Sequence, residues 1–304
     1  MENARTIWMD GEFVDWDDAR VHFLTHALHY GSAVFEGIRA YDTPEGTAIF
    51  RLEDHIRRLA RSANAYRIPW NLEVSEVMEI CRQILRLNQL ESGYIRPLVF
   101  YGLGSIGLNP AAAEVRTGIA AWRWGAYLGE EGIQNGIRVR ISTWRRISPE
   151  SFVPAAKGSG QYLNSIQAKQ EAITTGYDEA LMMNSGGDIS EGSGENIFLV
   201  RDDIVHTPPI SSGILDGITR ASVMDLLRSE GLRVVETTLT RGDLYGADEL
   251  FLTGTAAEVT PIREVDDRPI GTGRPGPITR RAQQLYADAV SGKLDEWRHW
   301  LDYI

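Results

Sequence analysis

Apolar positions along the chain alternate between a two-residue and a helical rhythm, and the changes of rhythm predict short strands interleaved with helices. Residues 6–14 are apolar-rich around Asp10-Gly11, a hairpin signal. Residues 48–51 read as a strand. Ile56, Leu59, Ala60 and Ala63 then fall at helical spacing and predict a helix over 53–66. Val77, Ile80, Ile84, Leu85 and Leu87 predict a second over 74–90. Strands over 94–101 and 118–124 make this first part a mixture of α and β.

Four glycines between Gly125 and Gly136 predict a linker. The expected organisation is therefore a small α/β domain over 1–124, an interdomain linker over 125–136 and a larger domain over 137–304. Within the last, Ile-Arg-Val-Arg-Ile-Ser-Thr over 137–143 alternates as a half-exposed strand. Further strands are expected at 178–183, 196–200, 204–207, 233–239 and 249–253. Helices are expected at 161–175, at 218–230 where Gly231 stops it, and at 277–290. The fold class is α+β, with a barrel-like second domain.

Composition narrows the function. The 304 residues carry 42 acidic and 31 basic side chains, a net charge of −11. A nucleic-acid binder would need a basic face, so that class is disfavoured. A single cysteine, Cys81, excludes an intrachain disulfide and a cysteine-based zinc site. Residues 1–6 lack the apolar run of a signal peptide, and no stretch approaches the length of a membrane span. A cytoplasmic protein without membrane or nucleic-acid partners is expected. Only three basic residues are lysines: Lys157, Lys169 and Lys293. Arginine cannot replace lysine where an amine must lose its proton.

Lys157 follows Val153-Pro-Ala-Ala and precedes Gly158-Ser-Gly160, with no acidic residue within six positions. Desolvation without a counter-charge yields a nucleophilic amine, so Lys157 is a candidate Schiff-base lysine. The competing account is a solvated lysine on a flexible loop; Lys169, on a helical pattern, and Lys293, near the C-terminal tail, read as exposed lysines. Glu191, in Ser190-Glu-Gly-Ser-Gly-Glu-Asn196, could keep a pyridine nitrogen protonated; Glu195 is the alternative, and a plain turn acid the competing account. Residues 211–219 lead into the helix near Ile218, whose N–H groups could hold an anion with Gly217 permitting close approach and Thr219 adding a hydroxyl. A simple cap by Asp216 explains that stretch equally well. The stretch Leu252-Thr-Gly-Thr-Ala-Ala257 could hold a second anion or be an ordinary strand-ending turn, and Arg58 could reach a phosphate or, like Arg57, be a solvated helix residue.

Taken in order, five stretches resemble the branched-chain amino acid aminotransferases, members of the class IV, fold-type-IV pyridoxal-phosphate family. These are His29-Tyr-Gly-Ser-Ala-Val-Phe-Glu-Gly-Ile-Arg39, Tyr94-Ile-Arg-Pro97, Ala155-Ala-Lys-Gly158, Ser190–Asn196 and Phe251-Leu-Thr-Gly-Thr-Ala-Ala-Glu-Val-Thr-Pro261. The resemblance spans about residues 6 to 290. It implies that Lys157 binds pyridoxal 5′-phosphate, that Glu191 meets its ring nitrogen and that Tyr162 meets its 3′ oxygen. Leu215 would pack on the ring, and Arg58, Gly217, Ile218, Thr219 and Thr255 would bind the phosphate. Tyr94, Thr255 and Ala256 would hold the substrate α-carboxylate. Tyr30, Phe35, Gly37, Arg39, Trp124 and Tyr127 would line the side-chain site, and Arg96 would meet the distal carboxylate of glutamate. Amino acids and 2-oxo acids are the implied partners, with a homodimer or higher homo-oligomer sharing its active sites. D-Amino acid or (R)-amine transaminases and aminodeoxychorismate lyases share the implied fold and are the rival activities.

Overall fold

A computed structural model describes residues 4–125 and 128–304. The chain divides into two compact units. The first comprises Met1–Trp124, Ala156–Gln161 and Ala289–Ile304; the second comprises Gly125–Ala155 and Tyr162–Asp288. Two stretches beyond residue 137 thus group with the first unit, one of them carrying Lys157.

In the first unit, the predicted hairpin is β1 (Thr6–Met9) and β2 (Glu12–Asp15), turned by Asp10 and Gly11 with positive φ. A short helix α1 (His26–Tyr30) follows, then β3 (Ala33–Phe35), β4 (Ile38–Thr43) and β5 (Gly46–Phe50). Next come helices α2 (Leu52–Ala65) and α3 (Val74–Leu87), then strands β6 (Gly93–Tyr101) and β7 (Val115–Trp122). These strands and the C-terminal strand Leu301–Tyr303 form one eight-stranded sheet, with the C-terminal strand against β5. One face of α3, Val77, Ile80, Cys81, Ile84 and Leu85, packs with Leu52 and Ile56 of α2 onto Ile38, Ile49, Ile95 and Ile119. Each such side chain contributes about 1.5–3 kcal/mol by leaving water.

β3 and β4 both pair with β6, Phe35 opposite Leu98 and Ile38 opposite Ile95. Glu36 and Gly37 interrupt the ladder between them. The Glu36 amide donates to the Pro97 carbonyl at 2.9 Å. Pro97 has no N–H to return on that side, so the break falls where the neighbouring strand lacks a donor.

In the second unit, the stretch expected to be a linker contains a helix, α4 (Gly129–Asn135). Glycine at 132 is a packing requirement there rather than a flexibility signal: a Cβ would stand 2.9 Å from Ile137 Cγ2. Strand β8 (Ile137–Arg145), helix α5 (Tyr162–Thr174) and strands β9 (Glu179–Met183), β10 (Ile189–Gly192), β11 (Asn196–Arg201) and β12 (Ile204–Thr207) follow. Then come α6 (Ile218–Ser229), β13 (Arg233–Glu236), α7 (Arg241–Tyr245), β14 (Glu249–Gly254), β15 (Glu258–Val265) and α8 (Pro277–Val290). The strands run β10-β9-β8-β15-β14-β11-β12-β13 in one sheet. A bridge between Ile189 and Leu239, just beyond β13, joins the two ends of that path. The sheet therefore curls on itself, as the barrel-like expectation requires. Alternate residues, Ile137, Val139 and Ile141 on β8, Ile197 and Leu199 on β11, Leu250 and Leu252 on β14, fill one core cluster. Among the described residues no helix is long and apolar enough to cross a membrane.

Candidate active site

In the first unit the lysine segment is strapped down at its backbone. The Lys157 amide donates to Ser62 Oγ of α2 at 3.0 Å, and its carbonyl accepts from the Phe35 amide at 3.1 Å. Gly158 bridges Val34. Gln161 Nε2 donates to the Ala156 carbonyl at 2.9 Å and to the Tyr66 hydroxyl at 2.5 Å. The Lys157 ammonium lies 5.1 Å from the centroid of the Phe35 ring. The two glycines after the lysine admit the chain's own atoms. A Cβ on Gly158 would approach the Tyr66 ring at 2.8 Å, and Gly160 packs on the Gly31 backbone. Lys169, by contrast, is committed to Glu179 at 2.6 Å.

Arg58, predicted as a phosphate ligand, is buried on α2 and paired with Glu36. Its Nε donates to Oε1 at 2.6 Å and its Nη2 to Oε2 at 2.9 Å. His55 Nδ1 lies 2.8 Å from the same Oε2. Burial pushes the Glu36 carboxyl up, but Arg58 and then His55 outweigh it and hold the group well below the usual carboxylate range.

An aromatic group stands on β6 and β7. The Tyr94 ring lies 5.3 Å from Trp122 and 5.3 Å from Trp124. Arg96 stacks over Phe35 at 4.7 Å and Tyr94 at 5.3 Å, and its Nη2 donates to the Tyr94 hydroxyl at 3.3 Å. Its Nε is buried and has no hydrogen-bond partner among the described residues. Gly37 is required beside them, since a Cβ there would overlap the Tyr94 hydroxyl. Arg39 sits opposite Tyr94 in register and over the Tyr41 ring. Phe35, Gly37, Arg39, Tyr94, Arg96 and Trp124 are thus gathered along neighbouring strands. Tyr30 makes its contacts elsewhere, against His26 and, through its hydroxyl, with the Ile106 carbonyl. Tyr127 lies outside the described residues.

In the second unit Glu191 is buried on β10. Its Oε1 pairs with Arg146 Nε at 2.7 Å, and its Oε2 accepts from Asn196 Nδ2 at 3.1 Å and the Leu215 amide at 3.0 Å. Asn196 Nδ2 also donates to the Leu215 carbonyl at 3.0 Å, so one carboxamide ties the Glu191 strand to the loop before α6. Gly217 leaves room for that carboxamide, which a Cβ would overlap. It is also the N-cap of α6 and supplies no side-chain cap, leaving the amides at Ile218 and Thr219 without one. Thr255 and Ala256 form the turn after β14, and Tyr162 opens α5; all three are half-buried. Ser190 Oγ, next to Glu191, and Thr253 Oγ1, two positions before Thr255, are buried and have no hydrogen-bond partner among the described residues.

The two candidate acids are environmentally distinct. Glu191 has an arginine partner. Glu195 is pushed up to about 8, first by burial and then by the Glu179 carboxylate, with Lys169 opposing. Arg146, Asn196, Glu36 and His55 were not singled out from the sequence. An acid inside the apolar run Val34-Phe-Glu-Gly-Ile38 was the available signal for Glu36; Arg146 offered none. Among the described residues no group of side chains could hold a metal ion.

The family model for amino-transferase class IV matches residues 33–265. The branched-chain-amino-acid aminotransferase of Pseudomonas aeruginosa is 51% identical over 97% of this chain and 95% of its own length. The crystal structure of the Escherichia coli branched-chain amino acid aminotransferase superposes with a TM-score of 0.97 at 46% identity, covering 98% of this chain and 99% of that one. The branched-chain amino acid aminotransferase of Thermobaculum terrenum, solved in its PLP-form, gives a TM-score of 0.92 at 36% identity over 99% of each chain. An amine pinned beside an aromatic ring, an arginine-backed buried carboxylate and an uncapped helix start are therefore set in a chain that belongs to the class IV aminotransferases.

Proposed function

We propose that the protein is a branched-chain-amino-acid aminotransferase that uses pyridoxal 5′-phosphate to pass the amino group of leucine, isoleucine or valine to 2-oxoglutarate. The donor set suits that cofactor: a half-buried amine, a buried carboxylate with a fixed cationic partner, a buried arginine, and a twelve-residue helix whose start has no side-chain cap. When bound, it supplies an aldehyde that condenses with amines and a ring that withdraws electrons.

The residues do the rest. Lys157 Nζ would hold the aldehyde carbon, and its amine, when free, would take the proton from the substrate Cα. Glu191, with Arg146 against its other oxygen, would keep a ring nitrogen protonated. Arg58, Thr219, Thr255 and the amides at Gly217 and Ile218 take the phosphate. Tyr162 takes the 3′ oxygen and Leu215 covers the ring. Tyr94, Thr255 and Ala256 hold the α-carboxylate. Phe35, Gly37, Arg39, Trp124, Tyr30 and Tyr127 bound the side-chain site. Arg96, with a buried donor to offer, takes the distal carboxylate of glutamate. One aromatic wall can then serve a branched aliphatic group and, through Arg96, an acidic one.

The observation that carries this is the strapped Lys157, held at both its amide and its carbonyl with its amine over Phe35. An amino-donor scan with both enantiomers and 2-oxoglutarate as acceptor tests it. L-Leucine, L-isoleucine and L-valine should lead, and Lys157→Ala should lose transamination and borohydride-trapped adduct together. An adduct on another side chain, or preference for D-amino acids or (R)-amines, would overturn it.

The protein works as a cytoplasmic homo-oligomer. Phe23 is 77% exposed and Leu108 83% exposed. Leu28, Tyr30 and Ile106 extend this apolar surface, with the Tyr30–Ile106 hydrogen bond joining the two segments. Apolar surface of that kind supports burial against a second copy.

A further inference from the structure

Three consecutive residues of the first unit each meet a different group used by the proposed function. Phe35 takes Lys157, through its amide at 3.1 Å and its ring at 5.1 Å from Nζ. Gly37 makes room for Tyr94. Between them Glu36, fully buried, clamps Arg58. We propose that Glu36 is a positioning residue for the Arg58 phosphate anchor, holding that guanidinium in register with the Lys157 amine.

A guanidinium is a planar fork whose hydrogen bonds count only when an edge is aligned with its partner. Glu36 engages the Nε–Nη2 edge at 2.6 and 2.9 Å, which fixes the plane and so the direction of the opposite edge. The carboxylate is itself immobile: His55 Nδ1 meets it at 2.8 Å, and the Glu36 amide is held by the Pro97 carbonyl at 2.9 Å. Arg58 and Ser62 lie four residues apart on one face of α2, and Ser62 Oγ receives the Lys157 amide at 3.0 Å. One helix face therefore carries the anchor and the lysine strap, and one tripeptide locks both. The pairing lowers the bare charge Arg58 offers an anion. In return it keeps a buried cation from turning away before the phosphate arrives.

This rests on the proposed role of Arg58, and the test separates the two. The cofactor-free full chain is titrated with pyridoxal 5′-phosphate and with pyridoxal, which lacks the phosphate, following absorbance. Glu36→Gln should weaken the phosphorylated form about tenfold or more and pyridoxal less than about twofold. Glu36→Asp, which keeps the charge but not the reach, should fall between. The double variant Glu36→Gln/Arg58→Gln leaves no lone buried charge. It should melt near wild type yet discriminate no better than Arg58→Gln alone. If Arg58→Gln leaves the preference for the phosphorylated form intact, the anchor itself is misassigned. If Arg58→Gln abolishes it while folded Glu36→Gln and Glu36→Asp retain it, or if either weakens both ligands equally, Glu36 is merely structural and the proposal fails.

Discussion

Single side chains divide into those whose chemistry shows in the sequence and those whose partners do not. Lys157 stands out because lysine is scarce in this chain and glycines follow it. Nothing near Trp144-Arg-Arg-Ile147 says that Arg146 rather than Arg145 would turn inward to Glu191, because an ion pair between residues 45 positions apart is made by topology. Arg96→Gln should raise KM for 2-oxoglutarate about 10–100-fold, the value of a charge-assisted hydrogen bond, while KM for leucine changes little. Steady-state kinetics with both substrates checks this, and equal losses would remove the distal-carboxylate role. Glu195 gives a prediction in pH. Its pKa is raised to about 8 in the fold, against an ordinary value of 4.5, so the folded state binds the extra proton between those values. Its contribution is favourable below pH 4.5 and is lost as pH rises through about 8. Melting of Glu195→Gln should therefore decline less steeply between pH 5 and 8 than wild type; a parallel decline would contradict the burial of a shared proton there.

Among the elements, long periodic ones were legible and short bridging ones were not. The helix expected over 74–90 is α3, Val74–Leu87, because five buried side chains recur at helical spacing. Ile84 of that stripe is fully buried, and Ile84→Ala should cost about 2–5 kcal/mol of unfolding free energy, measurable by denaturant titration. A cost under about 0.5 kcal/mol would mean the α3 face is not the core of this unit. β3 and β4 were seen only as part of a family motif, since the break at Glu36-Gly37 cuts the alternation before either strand is long enough to show it. α4 was hidden by its glycines, one of which, Gly132, serves close packing on β8. α7 carried a readable signal, a capping box between Thr240 and Asp243, within only five residues of helix.

At the scale of the molecule, the mixed α and β content and the curled second sheet were legible, and the return of 156–161 and 289–304 to the first unit was not. Sequence composition marks glycine-rich stretches, whereas compactness depends on pairings such as Leu301 with Phe50 that no local pattern reveals. The apolar surface around Phe23 and Leu108 makes oligomerisation the expected solution behaviour. Phe23→Glu with Leu108→Glu should lower the mass measured by light scattering and leave the far-ultraviolet spectrum unchanged; an unaltered mass would place the contact elsewhere. The pairing of the C-terminal strand with β5 has a consequence for biosynthesis. β5, with Ala48 and Ile49 fully buried, is translated long before its outer neighbour, Leu301–Tyr303. While the ribosome makes everything between, that margin of the sheet waits without its partner, a sticky seam open until Leu301–Tyr303 zips it shut.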